Sequence, residues 1–147
     1  MKIGITSDHR GFNLKEYLKN NLLEYEVIDF GTDSEEAVDY PDYALKISNS
    51  VIKKEIDLGI AICGSGIGIS IACNKVKGIR CAKVSNKEEA KMTRLDNDAN
   101  VVALSANCNK EEALEIVKTF INTPFSNEER HIRRINKVKQ IEDKNER

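Results

Sequence analysis

Five strand-like segments alternate with helical ones along the 147 residues, and the central segment, Leu58–Cys63 (LGIAIC), is nearly all apolar. Alternation of this kind predicts an α/β fold with a five-stranded parallel sheet and right-handed crossovers. The apolar run is what a parallel strand covered on both faces requires. A glycine-rich turn directly after that strand, Gly64-Ser65-Gly66-Ile67-Gly68, marks the strand-to-helix junction where such folds bind ligands.

The elements follow in order. Lys2–Thr6 (KIGIT) reads as the first strand, and Asp8-His9-Arg10-Gly11 as a loop. Phe12–Leu23 has helical spacing at Phe12, Leu14, Leu18 and Leu22. Glu26–Phe30 is a second strand ended by Gly31. Tyr40-Pro41 opens a helix reaching about Lys54, because proline fits the first helical turn and holds its predecessor extended. After Leu58–Cys63 and the glycine turn, a helix runs to about Val76. Arg80–Val84 and Asn100–Leu104 are the last strands, with a helix at Lys87–Leu95 between them. Glu111–Ile121 is a fifth helix; Pro124 breaks the chain; Asn127–Lys144 is a charged C-terminal helix at about 127–144. Without repeats, low-complexity tracts or linkers, one domain over 1–147 is expected.

Composition narrows the function. The chain is 40% hydrophobic and 32% charged, with 23 basic and 24 acidic residues and a net charge of −1. No surplus favours nucleic acid or an anionic membrane, and no apolar run approaches a membrane span. The start, MKIGITSDHRG, has no signal-peptide core, so a cytoplasmic location is expected. A chain of this length buries roughly 68–70% of its unfolded surface and needs no disulfides. Cys63, Cys73, Cys81 and Cys108 form no C-x-x-C pair and are expected as free thiols, three of them in the core. His9 and His131 lie far apart, which argues against a structural zinc site.

The glycine turn has two readings. One is a plain tight turn; the other is an anion hole, built from close N–H groups and a helix N-terminus. The spacing G-x-G-x-G fits neither a dinucleotide fingerprint nor a Walker A loop. Cys63, at the strand end before these N–H groups, is either a core thiol or a thiolate acting as nucleophile or base. A base beside an oxyanion hole suits proton abstraction next to a carbonyl, with the enediolate held by the amides. Arg130 and Arg134 share a helix face, with His131 at its edge. They form either a phosphate clamp or a solvated face paired to Glu128 and Glu129. Asp8-His9 is either a helix cap or a binding pair.

Together these pieces resemble one family. Ser7-Asp8-His9, Asp39-Tyr40-Pro41, Ile62-Cys63-Gly64-Ser65-Gly66-Ile67-Gly68-Ile69-Ser70-Ile71-Ala72, Asn74-Lys75-Val76-x-Gly78-Ile79-Arg80, Asn97-Asp98-Ala99-Asn100-Val101 and Arg130-His131-x-x-Arg134 occur in this order. The order resembles the B-type ribose-5-phosphate isomerases, which include the galactose-6-phosphate isomerase subunits, over nearly the whole chain. The resemblance implies a Rossmann-like three-layer α/β/α sandwich and a homodimer with composite sites, sometimes paired into tetramers. It implies aldose–ketose isomerisation of a phosphosugar in the pentose phosphate pathway, with no metal or organic cofactor. By position, Cys63 matches the proton-abstracting cysteine, and Gly64, Ser65, Gly66, Ile67 and Gly68 the enediolate loop. Asp8, His9, Tyr40 and Asn97 match substrate contacts, and Arg130 and Arg134 phosphate ligands.

Two positions depart from the pattern. Asp96 stands where ribose-type members carry the histidine assigned to ring opening, and Asn107 where many carry a phosphate-binding arginine. An ordinary aspartate is ionised at neutral pH, so it can accept a hydroxyl proton but is a poor acid. A missing arginine removes a charge-assisted contact of roughly 1.5–3 kcal/mol; Arg133 or His131 could compensate. The resemblance therefore points to interconversion of ribose 5-phosphate and ribulose 5-phosphate through Cys63, with His131, His9 or Asp96 opening the ring. The departures leave two alternatives: an isomerase of allose or galactose 6-phosphate, or a non-catalytic phosphosugar-binding protein.

Overall fold

A computed structural model describes residues 1–145; the expected domain, 1–147, extends two residues beyond them. Its elements are β1 (Lys2–Ser7), α1 (Phe12–Asn20), β2 (Glu26–Asp29), α2 (Tyr40–Ile52), β3 (Leu58–Cys63), α3 (Ile67–Cys73), β4 (Cys81–Lys83), α4 (Lys87–Asn97), β5 (Val101–Ser105), α5 (Lys110–Asn122) and α6 (Glu129–Asn145). All five strands are parallel, in the order β2-β1-β3-β5-β4. Every residue of β3 is buried, as its apolar run requires.

Side-chain alternation sorts the sheet into two packed faces. Ile3, Ile5, Ile60, Ile62, Val102 and Leu104 join one core with α1, α4 and α5. Ala61, Cys63, Val101 and Ala103 join the other, under Ala44, Ile47 and Val51 of α2 and Ile69 and Cys73 of α3. The result is the three-layer α/β/α sandwich. The order reverses at β1: α1 leads outward to β2, then α2 crosses to β3 on β1's other side. Ligand crevices open at such a switch point, outside the carboxyl ends of the two strands.

Most element ends differ from the sequence expectation by a few residues, for local reasons. The third helix stops at Cys73 rather than Val76 because Asn74 turns to the sheet. Its Nδ2 donates to the Cys81 carbonyl at 2.9 Å, and its Oδ1 accepts the Cys81 N–H at 2.8 Å. The fourth strand is three residues long because the Arg80 N–H goes to Asn100 Oδ1 instead of the ladder. The fourth helix runs two residues past Leu95 and ends where Asp98 adopts φ +47°. Its start is capped by Asn86, whose side chain accepts the Glu89 N–H at 2.8 Å.

All four cysteines are free. Cys63 and Cys73 are buried, whereas Cys81 and Cys108 are only half-buried, so the expectation of three core thiols beside Cys63 is corrected. A hydrogen bond with Cys81 favours the Cys73 thiolate; the same contact, with burial, pushes Cys81 well up. No helix among the described residues is long and apolar enough to cross a membrane.

The helical spacing of α1 does not announce one buried charge. Lys15 is fully buried, and its Nζ lies 2.7 Å from Asp29 Oδ2 and 2.9 Å from Glu16 Oε2. Lys19 reaches the same two carboxylates at 2.7 and 3.1 Å. The Lys15 hydrogen bond holds the Glu16 carboxyl below its ordinary range against a smaller opposing effect of burial. Burial alone would raise Asp29, but hydrogen bonds from Lys15, Lys19 and the Gly31 N–H outweigh it. Both carboxyls therefore bind protons more weakly folded than unfolded. Their contribution is present above about pH 4 and is lost as pH falls through the lowered folded values. Lys15→Ala is expected to cost about 2 kcal/mol at pH 7 by removing the buried ammonium and leaving Glu16 and Asp29 to share Lys19 alone. That lowers Tm by about 4–8 °C. Melts between pH 7 and 3 check both points: the variant's loss relative to the parent shrinks as these carboxyls protonate.

Candidate active site

Three loops converge where β1, β3 and β5 end. In the ladders Ser7 lies opposite Ile62, and Cys63 opposite Ser105. The Asp8 N–H donates to the Ile62 carbonyl at 3.1 Å, and the Ala106 N–H to the Cys63 carbonyl at 2.9 Å. The loops after β1 and β5 are thus tied to the end of β3 from both sides.

The glycine turn closes over Cys63, which is 4% exposed. Gly66 caps α3 at φ +76°, the left-handed region that favours glycine. A Cβ there would sit 2.7 Å from the Leu104 carbonyl carbon and 3.0 Å from the Ser105 nitrogen. Bare backbone against backbone sets the turn low enough for the Gly66 N–H to donate to Cys63 Sγ at 3.2 Å. The Ile67 N–H is held by Ser65 Oγ at 3.1 Å. Ser105 Oγ donates to the Gly64 carbonyl at 2.8 Å and accepts the Asn107 N–H at 3.1 Å. Among the described residues the N–H groups of Ser65 and Gly68 have no acceptor.

The loop after β1 is stiffened by Asp8, whose Oδ1 accepts the Arg10 and Gly11 N–H groups at 3.0 and 3.1 Å. Asp8 thus braces its own loop rather than capping α1, whose N-cap is Gly11. His9 Nδ1 accepts the Val38 N–H at 3.1 Å, so the neutral ring carries its proton on Nε2. Tyr40 lies against the turn: a Cβ on Gly68 would meet its Cζ at 2.8 Å and its hydroxyl oxygen at 3.1 Å. Asp8, His9, Tyr40, Cys63 and Gly64 to Gly68 therefore gather at one end of the sheet. Sequence reasoning did not single out two side chains that adjoin them, Ser105 and Arg10. The signal for Ser105 is its register opposite Cys63, which appears only once strands pair.

The other expected site residues do not join this group within one chain. α4 runs back to the amino end of β5, so Asp96 and Asn97 lie at the opposite end from Cys63. Asn97 Oδ1 accepts from Thr93 Oγ1 at 3.1 Å, and its carbonyl accepts from Arg80 Nε at 2.9 Å. Buried His131 stands beside Asp96, with Nε2 3.3 Å from Asp96 Oδ1 and 3.3 Å from Glu128 Oε2. Neither approach has hydrogen-bond geometry, so Nε2 is buried without a bond. Arg130 pairs with Glu128 at 2.8 Å, and Arg134 is exposed one turn further along α6. The solvated-face reading thus describes Arg130 in the single chain.

A large hollow, about 870 Å³, lies elsewhere, between residues such as Met1, Asp57, Arg80, Arg94, Asp98 and Phe125. Its arginines are engaged with Asp98 and with backbone carbonyls. It opens toward the amino ends of the strands, so the chemistry-bearing residues at the carboxyl ends make the stronger candidate.

Known proteins share this fold. The family model described as Ribose/Galactose Isomerase matches residues 3–138. A putative sugar phosphate isomerase of Bacillus subtilis is 44% identical over 149 residues, covering 99% of each chain. The ribose-5-phosphate isomerase B of Escherichia coli is 41% identical over 144 residues, covering 96% of each. Among solved structures, ribose-5-phosphate isomerase B of Clostridium thermocellum superposes with a TM-score of 0.95 at 50% identity, over 98% of this chain and 99% of that one. The Mycoplasma genitalium enzyme, solved with bound ribulose-5-phosphate, gives 0.91 at 37%, over 97% and 96%. With a family model spanning nearly all of its length and relatives at 37–50% identity over almost the whole chain, the chain belongs to the ribose/galactose isomerase family.

Proposed function

We propose that the protein interconverts ribose 5-phosphate and ribulose 5-phosphate, with Cys63 carrying the proton. The observation behind this reading is the Gly66 N–H on Cys63 Sγ, inside a turn whose Ser65 and Gly68 amides are still open to an acceptor. The Cys63 thiolate takes the proton from C2 of the open-chain aldose, and the electron pair moves to form an enediolate. The amides of the turn hold the developing oxyanion, as preorganised donors do in acyl-transfer sites. The thiol then returns the proton to C1, while a proton passes between the two oxygens. His9 Nε2–H and Tyr40 line the same mouth and orient the hydroxyls.

Arg130 and Arg134 are the phosphate ligands of this reading, and Asp96, Asn97 and His131 serve ring opening and sugar contact. Because these five stand at the far end of their own sheet, they belong to the neighbouring site of a homodimer. The face outside α2 and α3 supports such an assembly: Leu45, Ile52, Ile67 and Ile71 are 44–56% exposed there. A twofold axis repeats every contact, so each dimer would hold two equivalent composite sites. Asp96 beside His131 takes the place of the family's ring-opening histidine. The carboxylate orients and supports the imidazole, which gives and takes the hydroxyl proton. The phosphosugar is the partner, and nothing in the sequence calls for nucleic acid, membrane or cofactor.

A hexose phosphate is the second reading, favoured by the departures at Asp96 and Asn107. Comparing kcat/KM for ribose 5-phosphate, allose 6-phosphate and galactose 6-phosphate separates the two; a hexose preference overturns the first.

Cys63→Ala is expected to abolish both turnover and deuterium entry at C1 of ribulose 5-phosphate in heavy water. Phosphosugar binding should persist, as read by calorimetry, and retained exchange would remove Cys63 from the chemistry. Mixing Cys63→Ala chains with Asn97→Ala chains, each inactive alone, should restore activity in about a quarter of the sites after random reassociation. No recovery from exchanged, folded dimers would place both residues in one chain's site. His131→Asn is expected to lower kcat/KM about 10²-fold, in the range of a lost acid–base group. Asp96→Asn should lower it less, about tenfold. Equal turnover of parent and His131→Asn in progress curves would rule out this assignment.

A further inference from the structure

The loops at the carboxyl ends of β1, β3 and β5 hold one side chain that the mechanism above leaves unused. Arg10 follows His9, and its side chain packs against Gly64, the residue after Cys63. A Cβ on Gly64 would meet Arg10 Nη1 at 2.8 Å, Cδ at 3.0 Å and Cζ at 3.4 Å. Glycine at 64 is what lets the arginine lie on the turn. Its head is exposed and makes no ion pair or side-chain hydrogen bond among the described residues. The charges around it are otherwise committed. Asp8 accepts the backbone N–H groups of Arg10 and Gly11, and His9 Nδ1 is held by Val38. The loop after β5, Ser105-Ala106-Asn107-Cys108-Asn109, has no cation, and Lys110 is drawn away over the Tyr17 ring at 5.3 Å. Among the described residues of these three loops, Arg10 is thus the lysine or arginine that stands beside the turn. Its backbone N–H is held by Asp8, and its side chain lies against the backbone of Gly64.

The geometry points to Arg10 as a phosphate-binding residue of the substrate site, reaching from the Cys63 side to meet the sugar's phosphate dianion. This inference rests on the phosphosugar reading of the site. The enediolate oxygen is already supplied with amides, whereas the dianion needs cations, and a planar guanidinium with paired N–H groups matches it. Asn107 adjoins the same turn through Ser105 Oγ, which bonds both the Asn107 N–H and the Gly64 carbonyl. Arg10 therefore puts positive charge against the stretch of wall where Asn107 offers none.

The test compares Arg10→Ala and Arg10→Lys with the parent protein, using ribose 5-phosphate kinetics and titration with inorganic phosphate. Arg10→Ala is expected to raise KM at least tenfold while changing kcat less than threefold, and to weaken phosphate binding at least tenfold. Arg10→Lys should recover part of both losses, and all three proteins should melt within a few degrees of one another. Unchanged phosphate affinity in Arg10→Ala overturns the proposal, as does a fall in kcat with KM intact. If the parent does not turn over ribose 5-phosphate, the functional reading fails. The phosphate titration then still decides on Arg10: equal affinity in parent and Arg10→Ala overturns it, and weakened affinity supports it.

Discussion

Backbone packed against backbone at Gly66 sets the rest of the site. Any other residue there would drive its Cβ into the Leu104–Ser105 peptide, and the positive φ would add strain. Because the turn can sit this low, one N–H reaches Cys63 and the next residues start a helix without an intervening loop. The same contact depends on β5 running beside β3 in parallel register, with Ser105 opposite Cys63. A one-residue slip of β5 would turn Ser105 to the face opposite Cys63. The site is therefore a consequence of sheet registry as much as of the glycine motif.

The same topology divides the expected site residues. In a parallel α/β fold each strand delivers its carboxyl end to one rim, and each helix carries the chain back to the other. Cys63 and the turn lie on the first rim. Asp96 and Asn97, in the last turn of α4, necessarily lie on the second. No side-chain rotation closes a gap set by the length of the sheet. A site that uses both groups has to borrow one of them from another copy, and exposed Ile67 and Ile71 of α3 directly follow the turn that would be completed. Catalysis in this reading is inseparable from assembly.

Much of the fold was legible because its signals are local. The all-apolar β3, the glycine turn and the proline at the start of α2 each act within a few residues, and the structure bears them out. The boundaries that moved did so through side chains reaching across space, such as Asn74 to Cys81. Lys15 shows the limit more clearly. On a helical wheel it reads as a polar residue, yet it is fully buried because Asp29 and Glu16 meet its ammonium group. Pairing that spans fourteen residues leaves no periodic trace. Arg10 was hidden for the reverse reason: its place depends on a side chain that Gly64 lacks. Of the expected site, the half around Cys63 could be located by motif and fold rule together. The half on α4 and α6 could be named by motif, but its separation emerged only with the topology.

The departure at Asp96 is best understood through what a carboxylate does beside an imidazole. Opening a sugar ring needs one group that gives a proton to the ring oxygen and takes one from the anomeric hydroxyl. A lone aspartate, ionised at neutral pH, performs only the second task. Histidine performs both, since it exchanges protons near neutrality. His131 is buried, with one nitrogen 3.3 Å from Asp96 and from Glu128 and bonded to neither. An unsatisfied buried nitrogen is costly, and the two carboxylates at 3.3 Å are the acceptors within its reach. Bonded to either, the imidazole would have its tautomer fixed by a charged partner, as ligating and catalytic histidines commonly do. In the proposed reading the aspartate does not replace the histidine's chemistry; it stands beside a second histidine, His131, one helix away.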